Sequence, residues 1–304
     1  MNIEVKVGLS GWYRFVKRKV TGELVEELSF PNIITNIGLD RWGTDAIGSV
    51  CRLGGGNTTP AVTDTGLVSP LIANNSTVAL GNYRTYSVSE RWTECTRVYR
   101  FTPGVVVNSI AEVGVGWSSG LWSRALIKDA FGNPTTIQIL ADEVLDVYYT
   151  IRMQFPASDV TGQITLDGVL YDWTLRPADI ASVPGTQDSW FTSAFGAYGI
   201  PGSASASTGT IAAVNSSSAA LSTSDVVTVT PYSAGSYKQR LACKFDLLTA
   251  NFTIKSVNFR VLGTYGSETV KWQIGLSNHS TGDGIPKTSS QRLTLTFDFS
   301  WGRG

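Results

Sequence analysis

Apolar and polar residues alternate with a period of two over most of this 304-residue chain. That spacing puts successive side chains on opposite faces of a strand. "IEVKV" sets Ile3, Val5 and Val7 on one face. "WYRFVKRKV" continues the strand, "TGEL" turns the chain and "VEELSF" returns, which predicts a hairpin or meander over residues 3–30. In "FPNIITNIGLDRWGTDAI" Asn36 and Gly38 break the strand pattern, and "LDRWGTDAIG" predicts one short helix. "YRTYSVSERWTECTRVYRFTPG" predicts one or two long strands between Tyr83 and Phe101, "VNSIAEVGVGW" a strand kinked at Gly114 or Gly116, and "LWSRALI" a short strand. No stretch reads as a helix of ten residues or more. Many short strands divided by turns predict an all-β sandwich or barrel.

One phrase occurs twice. "GNPTTIQILADEVLDVYYTIRMQF" begins at Gly132, and "GIPKTSSQRLTLTFDFSWGRG" begins at Gly284. Each opens Gly-x-Pro-x-Thr and runs into an alternating strand. Leu145, Val147, Tyr149, Ile151 and Met153 form one face of the first, and Leu293, Leu295, Phe297, Phe299 and Trp301 the matching face of the second. Similar strands precede each copy: "RVYRFTPG" and "VNSIAEVGVG" before the first, "RLACKFDL" and "IKSVNFRVLG" before the second. The expectation is two tandem antiparallel β-sandwich domains, residues 1–156 and 163–304, made by internal duplication. "FPASDVTGQ" (residues 155–163) would link them. Chance likeness between two hairpins is the alternative. Within the second half, "ITLDGVLYDWTL" predicts a hairpin turning at Asp167-Gly168, and "AAVNSSSAALSTSD" a surface loop.

Composition narrows the function. Acids and bases number 24 each, so the chain lacks the basic excess that binding to nucleic acid needs. A local basic cluster, Arg14, Lys17, Arg18 and Lys19, reads as outward charges on a strand and turn. Three cysteines without C-x-x-C spacing give neither a disulfide framework nor a zinc site, and predict buried thiols in a reducing compartment. "MNIEVKVGLSGWYRF" has no signal-peptide pattern, and no window is apolar enough to span a membrane.

Catalytic constellations are sparse. The single histidine, His279, lies in the turn-rich "GLSNHSTGDG", with no Gly-x-Ser-x-Gly elbow to pair with it. Asp142, Glu143, Asp146, Asp64 and Asp172 are the carboxylates available for glycan hydrolysis, but nothing in the sequence sets two of them across a groove. "GGGN" lacks the Gly-Lys-Ser/Thr ending of a phosphate loop. No metal or other cofactor is expected. Aromatic residues beside turns stand out instead: Trp117, Trp122, Trp190, Phe191, Phe195 and Tyr198. Such rings stack on sugars, anchor protein interfaces or cap the ends of sandwiches. "SWFTSAFGAYG" is the best candidate for an exposed contact loop.

An ordered set of phrases resembles a pattern found in small tail-associated structural proteins of tailed bacteriophages. It runs "LSFPNIITNIGLDRWG", "GGGNTTPAVTDTGL", "YRFTPG", "IAEVGVGW" and "LWSRALIKDAFGNPTTIQILADEVLDVYYTIRMQF", covering about residues 25–155. The order is distinctive, and each phrase alone is not. The resemblance implies a non-enzymatic virion component of the tail tip, baseplate or fibre that contributes to host attachment. It implies other tail proteins as partners, a host-surface glycan or pilus as target, and self-association, with a trimer favoured. Such a protein is made in the host cytoplasm and released by lysis. The N-terminal domain would attach to the particle and the C-terminal one would face a partner or the host. A lectin-like sugar-binding module, a head or neck decoration protein and a glycan-cleaving enzyme are the other readings.

Overall fold

Strand β1 (Ile3–Lys19) holds the central position. Its odd positions Ile3, Val5, Val7, Leu9, Tyr13 and Phe15 are buried, as the alternation requires. The computed structural model describes residues 3–78, 83–106, 108–180, 204–261 and 270–304. One edge of β1 pairs antiparallel with β12 (Glu143–Gln154), Tyr13 opposite Tyr149. The other edge is shared. Residues 3–9 pair in parallel with β23 (Leu293–Arg303), and residues 12–18 pair antiparallel with β2 (Leu24–Pro31).

Around this strand an eight-stranded sheet runs in the order β17 (Val226–Val229), β18 (Lys238–Phe245), β23, β1, β12, β7 (Trp92–Phe101), β6 (Tyr83–Ser87), with β2 beside β1. A five-stranded sheet, β3 (Ile33–Ile34), β10 (Gly120–Leu126), β9 (Glu112–Trp117), β4 (Val50–Gly54) and β5 (Pro70–Asn74), packs on the first-half strands. Tyr13 Oη meets Ser123 Oγ at 2.7 Å between these layers. A six-stranded sheet packs on the second-half strands. Its order is β13 (Val160–Leu166), β14 (Val169–Asp179), β21 (Val270–Asn278), β20 (Ser256–Val261), β15 (Ser205–Ser207), β16 (Ser222–Thr223). There Phe259 stacks on Phe297 with centroids 4.0 Å apart. The fold is therefore all-β, built of antiparallel sheets, with one parallel pairing at the centre. The apolar core is continuous, because Phe155 meets Trp272 at 5.3 Å and Trp42 meets Trp301 at 6.4 Å.

Strand order agrees between the halves. Phe101 on β7 faces Leu145 on β12, and Phe245 on β18 faces Leu293 on β23. Two small ribbons repeat as well. Ile110 of β8 (Ser109–Ile110) pairs with Ile137 of β11 (Ile137–Gln138), and Ile254 of β19 (Thr253–Ile254) pairs with Ile285 of β22 (Ile285–Pro286). The ten residues named as the two inward faces of the repeated phrase are all buried. The Gly-x-Pro-x-Thr words themselves do not superpose. Pairing sets Ile285 against Ile137, four residues beyond the position the words imply. Gly132 adopts a left-handed φ of 84°, whereas a Cβ on Gly284 would collide with the Ile254 carbonyl.

The predicted short helix is α1 (Asn36–Trp42), starting earlier than expected. Thr35 caps it, accepting from Gly38 N–H at 2.9 Å. Gly38, read as a breaker, lies inside the helix because a Cβ there would strike the Trp122 backbone. The Asp167-Gly168 hairpin forms, with φ of 48° and 79° as a type I′ turn requires. The expected linker is shorter than read, since β13 begins at Val160. Asp159, just before it, pairs with Arg91 of the first half and Arg176 of the second.

Candidate functional site

The singled-out aromatics fall into three groups. Trp190, Phe191, Phe195 and Tyr198 lie outside the described residues. Trp117 ends β9, half-buried, with the Arg41 guanidinium 5.1 Å from its ring and Gly120 beneath it. Trp122 corrects the expectation of an exposed contact. It is fully buried in β10, edge-on to Trp42 at 5.7 Å, and its Nε1 donates to Tyr149 Oη at 2.7 Å. Position beside a turn marked both tryptophans, but every residue of β10 is buried, whereas Trp117 lies at the partly exposed end of β9.

Asp142 is exposed, and the other carboxylates considered for hydrolysis have local partners. Arg100 grips Asp146 with two 2.7 Å bonds. Glu143, nearly buried, accepts from Leu140 N–H at 2.8 Å, with Lys17 Nζ 3.9 Å away. His279 Nδ1 lies 2.9 Å from Asp172 Oδ2, and Gln163 donates to the same carboxylate at 2.9 Å. These hydrogen bonds, Gln163 first, hold the Asp172 carboxyl below its ordinary range. The basic cluster is largely paired: Arg14 with Glu27, Lys17 with Glu26, Lys19 with Glu23. All three cysteines are buried, and burial pushes the Cys243 thiol up to about 12.

The sequence reading missed two sites. The first is a buried polar joint. Glu112, wholly buried, accepts from three backbone N–H groups of one loop: Gly56 at 3.1 Å, Ser69 at 2.7 Å and Val68 at 3.2 Å. Arg124, also buried, donates to Glu112 at 3.0 Å, to Asp64 at 2.7 Å and to the Thr58 carbonyl at 2.8 Å. A Cβ on Gly54 or Gly56 would collide with the Glu112 side chain, so "GGGN" is the passage that lets the loop close over the carboxylate. The available signal was a lone acid in the otherwise apolar "IAEVGVGW" and a lone base in "LWSRALI". The second half has a counterpart. Gln273, opposite Asn258 as Arg124 is opposite Gly114, is buried and ties down Ala212, Ala213 and Ser216.

The second missed site is the outward face of the large sheet. Arg152 lies 4.2 Å from the Trp92 ring and 5.4 Å from that of Trp12, and donates to Glu94 at 2.6 Å. Beside it Arg14 covers Tyr148 at 4.9 Å, and the Thr96 and Thr150 hydroxyls meet at 2.6 Å. Cation–π contacts hold these partly exposed rings against the two arginines. Among the described residues no cluster of His, Cys, Asp and Glu could hold a metal ion.

Fold and sites together define an all-β protein whose polar interior serves loop anchoring and whose outer sheet face is aromatic and cationic. No protein-family model, no curated protein and no solved structure matches this chain.

Proposed function

We propose that the chain is a non-enzymatic structural component of a tailed-phage particle, at the tail tip, baseplate or fibre, where it contributes to host attachment. One observation carries this reading. The phrases that resemble the phage tail proteins are scattered through the first half, yet they meet in space. "GGGN" and "DTGL" are the loop, "AEVG" supplies its acceptor Glu112 and "SRAL" its donor Arg124. "GLDRWG" is α1, which receives the second half through Asp40 and Leu39. An ordered pattern whose members build one joint supports a shared scaffold better than chance phrases would.

In this reading residues 1–156 attach to the particle and residues 163–304 face a partner or the host. The halves are copies of one unit, which the common strand order supports. Trp190, Phe191, Phe195 and Tyr198, outside the described residues, are the contact residues of this reading. Immunogold labelling of purified virions with antibodies to this chain should decorate one end of the tail. Virions that carry no label, and no peptides of the chain by mass spectrometry, would overturn the proposal.

A sugar-binding reading has its own support in the Trp12–Arg152–Trp92 array, since flat aromatic surfaces stack on sugar rings. A glycan array separates the two readings. Binding that is lost in Trp92→Ala favours the outer face, and loss in Trp190→Ala favours the loop. A flat signal in the wild type removes the idea.

A further inference from the structure

Phe131 is 89 % exposed. It stands at the tip of the turn after β10, and that turn is firmly built. Asp129 Oδ1 accepts from the N–H groups of Phe131 and Asn133, both at 2.9 Å, and Gly132 N–H returns to the Asp129 carbonyl at 3.0 Å. Gly132 supplies the left-handed φ of 84° that the turn needs. A large apolar ring is thus presented to solvent on a preorganised support, the arrangement that loses least entropy on docking.

Directly beside it is a cavity of about 310 Å³. Its wall includes Pro31, Ile33, Pro60, Ala125, Leu126 and Pro134. An apolar cavity of about 150 Å³ suffices for benzene; this open cavity, lined also by Asn32, Thr59 and Arg124, is larger than a phenyl ring needs. Gly132 and Pro134, one and three residues past Phe131, also line it. Knob and hole therefore adjoin on one face.

Charge agrees with shape. Lys128 lines the hole and has no acidic partner among the described residues. Asp129, at the base of the knob, is a carboxylate whose Oδ2 has only a 3.4 Å contact with Asn133. A two-fold axis beside the turn would bring each Lys128 toward the other copy's Asp129 as each Phe131 entered the other copy's hole. Such an isologous contact needs knob, hole and both charges on one patch, and this patch carries all of them.

We infer that this face pairs two copies of the chain, with Phe131 of each seated in the cavity between Pro31, Pro60 and Pro134 of the other. The inference does not depend on the phage reading, because it concerns the purified protein.

The test is sedimentation velocity with light scattering at micromolar concentration. The wild type should weigh twice 32.7 kDa. Phe131→Asp should be monomeric with an unchanged circular dichroism spectrum, since the ring is 89 % exposed within the chain. Phe131→Ala should raise the dimer dissociation constant by about 30-fold or more, the mark of an interface anchor. Thr59→Trp, on the rim of the hole, should also give monomer. Because the native cysteines are buried, Phe131→Cys protein mixed with Thr59→Cys protein should be joined by a short bis-maleimide into a heterodimer. A monomeric wild type, a trimer, or a dimer that survives Phe131→Asp each overturns the inference.

Discussion

Replacing Arg124 by methionine tests the central joint. The change keeps an unbranched aliphatic stem, shortens the side chain and removes five N–H donors. Glu112 is wholly buried and would keep only the backbone donors of Gly56, Val68 and Ser69. Asp64 and the Thr58 carbonyl would lose their guanidinium partner. Removing one member of a buried ion pair costs about 3–5 kcal/mol, because the other charge stays buried without compensation. At roughly 2.1 cal/mol/K per residue of unfolding entropy, the 304-residue chain should melt about 5–8 °C lower if it unfolds as one unit.

The assay is differential scanning calorimetry beside limited proteolysis. Loop residues 54–69 should become cleavable in Arg124→Met under conditions that leave the wild type intact, since the loop is held through Glu112. Glu112→Gln should cost less, because the amide oxygen still accepts from the loop and Arg124 keeps Asp64. A variant that melts within 1 °C of the wild type and resists the protease equally would refute the argument that this joint fixes the loop.

Four further outcomes follow from the geometry. Trp122→Ala should destabilise by about 3–5 kcal/mol in urea titrations, and Trp117→Ala by less than about 1.5, because only the first empties a fully buried site. Tyr232→Phe should cost about 1–2 kcal/mol by the same measurement, since Tyr232 Oη donates to Asp40 at 2.6 Å and accepts from Tyr237 N–H at 3.1 Å. The Arg240 hydrogen bonds hold the Asp298 carboxyl below its ordinary range, so its contribution is present above about pH 4 and lost as pH falls through the folded-state value; melting temperatures of Asp298→Asn should fall less steeply than wild type between pH 5 and pH 2. Residues 163–304 expressed alone should be largely insoluble, because β23 would lose β1 and expose an unpaired edge; a soluble, cooperatively melting fragment would contradict this.

Much of the local structure was legible in the sequence. The period of two identified the inward faces of β1, β12 and β23, and the Asp167-Gly168 pair placed a hairpin, because both signals act between near neighbours. Sheet order was not legible. Alternation tells which side of a strand is apolar but not which strand lies beside it, and Val5 pairs with Phe299 across almost the whole chain. The likeness of the halves lies in strand order, while the shared Gly-x-Pro-x-Thr words sit four residues out of register. Of the two tryptophans beside the β9–β10 turn, only tertiary packing distinguishes Trp122 in the core from Trp117 at the rim. Glu112 and Arg124 were visible as isolated charges in apolar strands, but their pairing is a fact of the β9–β10 register.

The two halves are held together by structure from both sides rather than by their connection. Pro156 to Asp159 is short, and it is fastened to both halves by the Arg91 and Arg176 pairs of Asp159. The main joint is β1. Alone, the second half contributes three strands, β17, β18 and β23, to the large sheet. The first residues of β1 add a fourth, with Ile3, Val5 and Val7 continuing the inward row of Phe297, Phe299 and Trp301. Its later residues turn the same row toward the first-half core at Tyr13 and Phe15. A second contact reinforces this. Trp301 Nε1 donates to the Leu39 carbonyl at 3.0 Å, Arg303 reaches Ile34 and Asn36, and Tyr232 lies over Gly43 and stacks on Trp301. The last strand of the chain therefore reads the helix that follows its first hairpin. A force that parts the halves must therefore break both the β1–β23 ladder and this helix contact.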